Sequence, residues 1–233
     1  MKKFYKVVAV RQRDGAFSVC LDERPVRTPA KNLLLLPNAA LAEAIADEWR
    51  TDADEIDPTA MILTRMANSA LDRVSQRRDT VIDEIAGFAE TDLVCYRAAH
   101  PEALREQQER HWEPLLVWLR QSKDIDLTST ESILPLDQAP DNLDALRNVV
   151  ASFDDFGLSA LHTITSACGS VVLGLSTAYG RIDGITAWEL SLIEETYQIC
   201  EWGEDPEATK RREKLRTDIT AAAKFLDLVR AVA

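Results

Sequence analysis

The strand-type patterns of this 233-residue chain are concentrated in its first 36 residues, and helical patterns dominate from Pro37 onward. Residues 7–10 are an apolar run, Asp14-Gly15 is typical of a hairpin turn, and residues 17–21 alternate between apolar and polar side chains. This alternation predicts a strand with one face on a core and the other in water. We therefore predict an N-terminal antiparallel β region with helices, followed by an all-helical C-terminal domain.

The helical part should begin at Asn38, a suitable N-cap, and the stripe of Leu41, Ile45 and Trp49 predicts that Trp49 belongs to the core. Further along, the patterns predict a helix over 61–90, a strand over 91–97, a helix over 102–121, a short strand over 126–130, and helices over 141–153, 157–179, 184–202 and 206–230. Pro114 should kink or restart the helix that contains it.

The domain boundary is predicted within SILPLDQAPD, residues 132–141, because this segment is rich in proline and turn residues. It would separate an α+β domain over 1–136 from a helical domain over 137–233. In the predicted helix over 157–179, small residues recur every four positions and would let a neighbouring helix approach closely. They are Ser166, Ser170, Gly174 and Ala178.

The net charge of −12 is unevenly distributed. The first 36 residues carry +5 and the remainder −17. The negative total disfavours a uniformly basic nucleic-acid binder, because such a protein needs clustered lysine and arginine to neutralise phosphates. The uncharged stretch between Asp155 and Arg181 is interrupted by hydroxyl side chains and glycines, which predicts a buried helix and no membrane insertion. Four widely spaced cysteines lead us to expect free thiols in a reducing compartment. The N-terminus resembles neither a signal peptide nor a transit peptide, so we expect a cytoplasmic bacterial protein or a mature organelle protein.

Signatures of catalysis are absent from the sequence. It contains no GxGxxG, GxxxxGK[ST], HExxH or GxSxG motif, and its three histidines lack metal-ligand spacing. His162 and Cys168 would lie about 240° apart on one helix, too far around it to form a nucleophile–base pair. We therefore predict no catalytic residue, no metal site and no cofactor.

The most unusual segment, residues 182–209, holds eight acidic residues and no lysine or arginine. Drawn as one helix, it places Trp188 and Trp202 in one apolar arc, beside a polar seam that contains Glu194. A core helix with a solvated acidic edge and a docking surface for a basic, partly apolar partner are both open interpretations. A third is an enzyme that uses a carboxylate or Cys168 in a helical-domain cleft. The following KRREKLR, residues 210–216, can neutralise part of the acidic charge.

Eight segments together resemble one known family: FYK (4–6), LDERPVRTPAK (21–31), EW (48–49), LTRMANSALD (63–72), TDLVCYRA (91–98), HWEPLLVW (111–118), GSVVLGL (169–175) and AWELSLIEETYQICEWGED (187–205). The family comprises the assembly chaperones of the alpha subunit of the F-type ATP synthase. Compared with the family pattern, Ile62 replaces a common proline, Glu113 an aspartate, and Leu192 a basic residue.

This resemblance implies a non-enzymatic, ATP-independent chaperone that shields an aggregation-prone surface of the free alpha subunit and releases it to the neighbouring subunit. It implies a cytoplasmic location here and the mitochondrial matrix for eukaryotic relatives. A holdase for unrelated polypeptides is a further alternative. The residues expected to contact the partner, with Tyr197 and Trp202 as anchors, are Glu194, Glu195, Tyr197, Gln198, Trp202, Glu204 and Asp205.

Overall fold

The computed structural model describes residues 2–13, 15–51, 53–203 and 205–231. Its strands are β1 Val8–Arg13, β2 Ala16–Leu21, β3 Arg24–Pro25 and β4 Leu35–Leu36. Its α-helices are α1 Ala39–Trp49, α2 Ile62–Ser69, α3 Arg78–Ala86, α4 Glu102–Lys123, α5 Pro140–Ala151, α6 Asp155–Cys168, α7 Val171–Ala178, α8 Gly184–Ser191, α9 Ile193–Trp202 and α10 Pro206–Arg230. The antiparallel sheet followed by helices confirms the predicted α+β class.

The chain packs as two compact units. The first comprises Met1–Arg78, Asp154–Ala160 and Lys224–Ala233, and the second Asp79–Phe153 and Leu161–Ala223. This grouping describes packing, and the domain boundary between 136 and 137 stays a prediction.

The sheet of the first unit is centred on β2. It pairs antiparallel with β1, with Val8 opposite Leu21, and also with β3 and β4. Gly15 has a φ of +82°, as a tight hairpin turn requires, whereas Asp14 lies outside the described residues. The predicted split of β2 into a core face and a water face is wrong for its second half, because Ser18 to Leu21 are all buried.

Helix α1 begins as predicted, with Asn38 as its N-cap. The Asn38 side chain accepts a hydrogen bond from the Leu41 backbone N–H at 2.8 Å. Leu41 and Ile45 are completely buried, and α1 packs on β1 and β2. Trp49 is half-buried rather than fully in the core, and its ring lies 6.0 Å from that of Tyr5.

Glu48 and Asp72 are among the carboxylates of the first unit that accept hydrogen bonds from the backbone. Glu48, on α1, accepts hydrogen bonds from the backbone N–H groups of Leu63 and Thr64, which open α2. Asp72, in the π-helical turn Ala70–Val74, accepts hydrogen bonds from three donors in the loop before β4. These donors are Thr28 Oγ1 at 2.7 Å, Ala30 N at 2.9 Å and Asn32 Nδ2 at 2.9 Å.

The strand predicted over 91–97 is wrong. This segment forms two 3₁₀ turns, Gly87–Thr91 and Leu93–Cys95, and contributes one isolated parallel bridge between Tyr96 and Thr130. The strand predicted over 126–130 is reduced to the same bridge.

Asp92 is the physical reason for the turn in this segment. Its carboxylate accepts from the backbone N–H groups of Val94 and of Val172, at the start of α7, both at 3.1 Å. Complete burial raises the pKa of Asp92 to about 6, against the opposing effect of the hydrogen bonds that it accepts. A carboxylate that bridges two backbone segments in this way bends the chain instead of extending it.

The single helix predicted over 157–179 is two helices, α6 and α7. Gly169 interrupts them at a φ of +65°, and the Ser170 side chain caps α7 by accepting from the Leu173 N–H at 3.0 Å. Ser170 therefore lies outside the helical stripe in which it was placed. Close approach is real at Gly174, where an added Cβ would lie 2.4 Å from Thr165 Oγ1.

The helix predicted over 184–202 is also interrupted, at Leu192, so Trp188 and Trp202 lie on different helices and do not share an arc. Leu192 is buried, which suits an apolar residue at this departure from the family pattern. Helix α4, in contrast, continues through Pro114 without the predicted restart.

Candidate functional site

Beside α9 lies an open groove of about 740 Å³, which we call the α9 groove. Residues of α9 and α10 line it, together with Trp112 of α4 and residues at the end of α6. Its described lining residues are Leu93, Trp112, Ser166, Ala167, Cys168, Gly169, Ser191, Leu192, Glu194, Glu195, Gln198, Ile199, Trp202, Gly203, Asp205, Ala208, Arg211 and Leu215.

The groove brings together most of the predicted contact residues. Among the described residues it includes Glu194, Glu195, Gln198, Trp202 and Asp205, but not the half-buried Tyr197. Glu204 lies outside the described residues.

Trp202 is the exposed aromatic of the groove, with 80% of its surface accessible. It is the last residue of α9, which Gly203 ends at a φ of +90°. A large aromatic side chain gains hydrophobic free energy when a partner covers it. Trp202 therefore fits the role of an anchor, whereas Tyr197 does not line the groove.

Glu194 is held by a buried glutamine from α4. Its Oε1 accepts from Gln108 Nε2 at 2.7 Å, and Gln108 Oε1 accepts from the backbone N–H of Ala98 at 2.7 Å. Gln108 is completely buried, so its orientation is fixed by these bonds. The half-buried Glu194 carboxylate is therefore held in one orientation at the groove.

Glu195 is paired within the chain. Its Oε2 accepts a hydrogen bond from Arg211 Nη2, and its Oε1 lies 3.8 Å from Arg212 Nη1. Both arginines belong to KRREKLR, so the prediction that this segment neutralises part of the acidic charge is confirmed for Glu195.

Gln198 and Asp205 complete the polar side of the groove. Gln198 is exposed on α9, one turn before Trp202. Asp205 is exposed at the start of α10, where its Oδ1 accepts from the Glu207 N–H at 3.3 Å. Asp205 thus also contributes to the folding of α10.

Cys168 shares the groove with Glu194 and Glu195, which is the arrangement that an enzyme in a helical-domain cleft would need. Its chemistry is unsuitable, however. Burial raises the pKa of the Cys168 thiol to about 12, and Sγ donates to the Ala187 carbonyl at 3.9 Å. The nucleophilic form of cysteine is the thiolate, so at neutral pH this group is an unreactive thiol. His162 Nε2 contacts Glu84 Oε2 instead, at 3.1 Å.

The roles of Gln108 and Trp112 were missed at the sequence level. Trp112 is completely buried and donates through Nε1 to the Leu190 carbonyl at 3.0 Å, which fixes the end of α8. A signal was present, because Gln108 lies in the buried stripe of α4 between Leu104 and Trp112. A polar residue in such a stripe must find a hydrogen-bond partner.

In the ranges that the structure describes, no three acidic, histidine or cysteine side chains cluster as metal ligands would. None of the helices described combines the length and apolar composition needed to cross a bilayer. The four cysteines, all in the described part of the chain, are free thiols, of which Cys200 is exposed.

Residues 2–120 match the family described as ATP12 chaperone protein. The chain belongs to the ATP12 chaperone family. This confirms the resemblance seen in the sequence, and with it the context of ATP synthase assembly.

Relatives across the ATP12 chaperone family agree with this assignment. The crystal structure of Atp12 from Paracoccus denitrificans is 42% identical, with a TM-score of 0.94 and 98% of each chain covered. A putative chaperone from Agrobacterium tumefaciens, Atu1473, is 35% identical at the same TM-score, covering 98% of this chain and 86% of its own. The mitochondrial protein atp12 of Schizosaccharomyces pombe is 23% identical, over 87% of this chain and 74% of its own.

Proposed function

We propose that this protein binds the free alpha subunit of the F-type ATP synthase, shields its aggregation-prone surface and releases it to the neighbouring subunit. It acts in the cytoplasm as a binding protein and not as an enzyme. Membership of the ATP12 chaperone family supports this function. The raised pKa of the Cys168 thiol argues against the form of the enzymatic alternative that uses this cysteine.

The observation that carries the proposed site is the exposure of Trp202 within an acidic groove. Trp202 offers apolar surface, and Glu194 and Asp205 flank it with negative charge. Such a surface suits a partner segment that is apolar at its centre and basic at its edge. Covering Trp202 supplies hydrophobic free energy, and the carboxylates steer association.

Release follows from the same arrangement. The groove is open and of modest volume, so it covers a limited part of a client surface. A neighbouring subunit that buries a larger area of the same surface would displace the chaperone without any need for nucleotide hydrolysis.

Binding of the purified alpha subunit to immobilised variants tests the site. Trp202→Ala should weaken binding at least tenfold, because the anchor is lost while its exposed position costs the fold little. Gln198→Lys, which adds positive charge inside the groove, should also weaken binding and reduce its salt dependence. The matched control is Glu201→Gln, which changes the charge by the same amount on the exposed surface of α9 outside the described lining.

Equal affinity of wild type, Trp202→Ala and Gln198→Lys would remove the α9 groove from the proposal. A parallel assay of light scattering by an unrelated heat-denatured protein separates the specific chaperone from a general holdase. The specific chaperone suppresses aggregation of the alpha subunit and leaves that of the unrelated protein unchanged.

A further inference from the structure

The carboxylate of Glu195 is covered by a cation of the chain itself. Arg211 Nη2 donates to Glu195 Oε2 from the groove, which both residues line. The acidic window over 182–209 has no lysine or arginine of its own, so this cation comes from the next helix. The position in which a basic partner would meet Glu195 is therefore occupied in the isolated chaperone.

The two arginines beside Glu195 differ in how firmly they are built into the fold. The Arg212 side chain is 15% exposed, lies 5.7 Å from the ring of Trp188 and donates to Thr196 Oγ1 at 3.1 Å. The Arg211 side chain is 59% exposed. Arg212 is thus a fixed part of the helix packing, whereas Arg211 can leave Glu195 by rotating into water.

The pairing of Glu195 is also incomplete. Within the described chain, Glu195 Oε1 and Arg212 Nη1 are buried and lack hydrogen-bond partners, although they lie 3.8 Å apart. Leaving a buried charged acceptor without a donor costs free energy. Because Oε1 is buried within the chain, a guanidinium group from outside can only replace the hydrogen bond that Arg211 donates to Oε2.

We propose that Glu195 receives a guanidinium group of the client and that Arg211 is a built-in substitute, displaced when the client docks. The inference rests on the proposed function of the α9 groove. While the groove is empty, Arg211 keeps the carboxylate ordered and neutralised. When the client's arginine enters, Arg211 swings into solvent, and the competition between the two guanidinium groups lowers the affinity and promotes release.

Removing the competitor should strengthen binding. Arg211→Gln is expected to tighten binding of the purified alpha subunit by about twofold to fivefold, the range that corresponds to a partly exposed ion pair. Arg211 competes by returning to Glu195 when the client's guanidinium group lets go, so its loss should appear mainly as slower dissociation in surface plasmon resonance. The matched control is Lys214→Gln, which removes one positive charge from the same helix at an exposed position outside the described groove lining.

A second substitution isolates the contact. In a Glu195→Gln background, Arg211→Gln should have no further effect, because the competed carboxylate is gone. Thermal unfolding of each variant establishes that it is folded. The inference is overturned if Arg211→Gln binds as wild type does, more weakly, or only as tightly as Lys214→Gln. Failure of the wild-type protein to bind the alpha subunit would defeat the proposed function as well, so the two failures are distinguishable.

Discussion

Replacing Glu48 with alanine should destabilise the fold strongly, because this side chain closes the N-terminus of α2 from the neighbouring helix α1. Its two oxygens accept from the backbone N–H groups of Leu63 and Thr64, both at 2.8 Å, and Oε2 also accepts from Thr64 Oγ1 at 2.7 Å. The preceding residue, Met61, provides no side-chain cap. The first turn of α2 therefore depends on a carboxylate supplied from elsewhere in the chain.

The magnitude follows from the two backbone donors. Leu63 and Thr64 are each 5% exposed, so water is a poor substitute for the lost acceptor. An orphaned buried donor costs about 1–3 kcal/mol, and two at mid-range give about 4 kcal/mol for Glu48→Ala. Glu48→Gln keeps one acceptor oxygen and should cost about half as much, roughly 2 kcal/mol.

Urea denaturation followed by circular dichroism measures these differences, with Glu43→Ala as the control. Glu43 lies on the same helix and pairs with Arg50 at 2.8 Å, but its side chain is 53% exposed, so its loss should cost under about 1 kcal/mol. For a chain of this size, about 4 kcal/mol corresponds to a fall in Tm of roughly 8–16 °C. A Glu48→Ala protein no less stable than Glu43→Ala would refute the capping argument.

Three further substitutions or probes test other contacts. Burial raises the pKa of Asp72, but the hydrogen bonds that it accepts outweigh this effect, so its pKa lies below the ordinary value. The ionised Asp72 therefore stabilises the folded state above about pH 4, and this contribution is lost as the pH falls through the folded-state pKa. Acid titration of unfolding should therefore show a flatter pH dependence for Asp72→Ala than for wild type. Gly174→Ala should lower the free energy of unfolding measured in urea by about 1–3 kcal/mol, because the added Cβ would clash with Thr165. Gly87→Ala is the control and should lower it by under about 1 kcal/mol, because no described atom lies within 4 Å of its added Cβ. A thiol reagent should modify Cys200 rapidly in the native protein and the three buried cysteines only on unfolding. Rapid modification of more than one cysteine in the native protein would contradict the structure.

The sequence patterns located the elements more reliably than their interruptions. The stripe of α1 and its Asn38 cap are local signals, and both are present in the structure. The breaks at Gly169 and Leu192 are not determined by periodicity, because apolar spacing continues across them. Apolar residues can keep helical spacing through a junction between two short helices when both helices bury apolar side chains.

The strand predicted over 91–97 shows a different failure. Its β-type composition is real, but Asp92 binds backbone N–H groups at Val94 and at Val172, 80 residues further along the chain. A side-chain contact at that separation has no local signature. The same holds for the groove, where Gln108 supports Glu194 across 86 residues.

The resemblance to the family is carried largely by residues that the fold itself uses. Glu48 caps α2, Asp72 ties down a loop, Asp92 caps α7 and Trp112 fixes the end of α8. These contacts give four residues of the pattern a role in stabilising the fold, whereas the segment over 187–205 also supplies the groove residues. Trp202 differs, because 80% of its surface is exposed and its burial therefore contributes little to the isolated protein. A large aromatic side chain kept in water beside carboxylates gains its free energy only on association, which is why Trp202 is the residue whose loss should separate binding from folding.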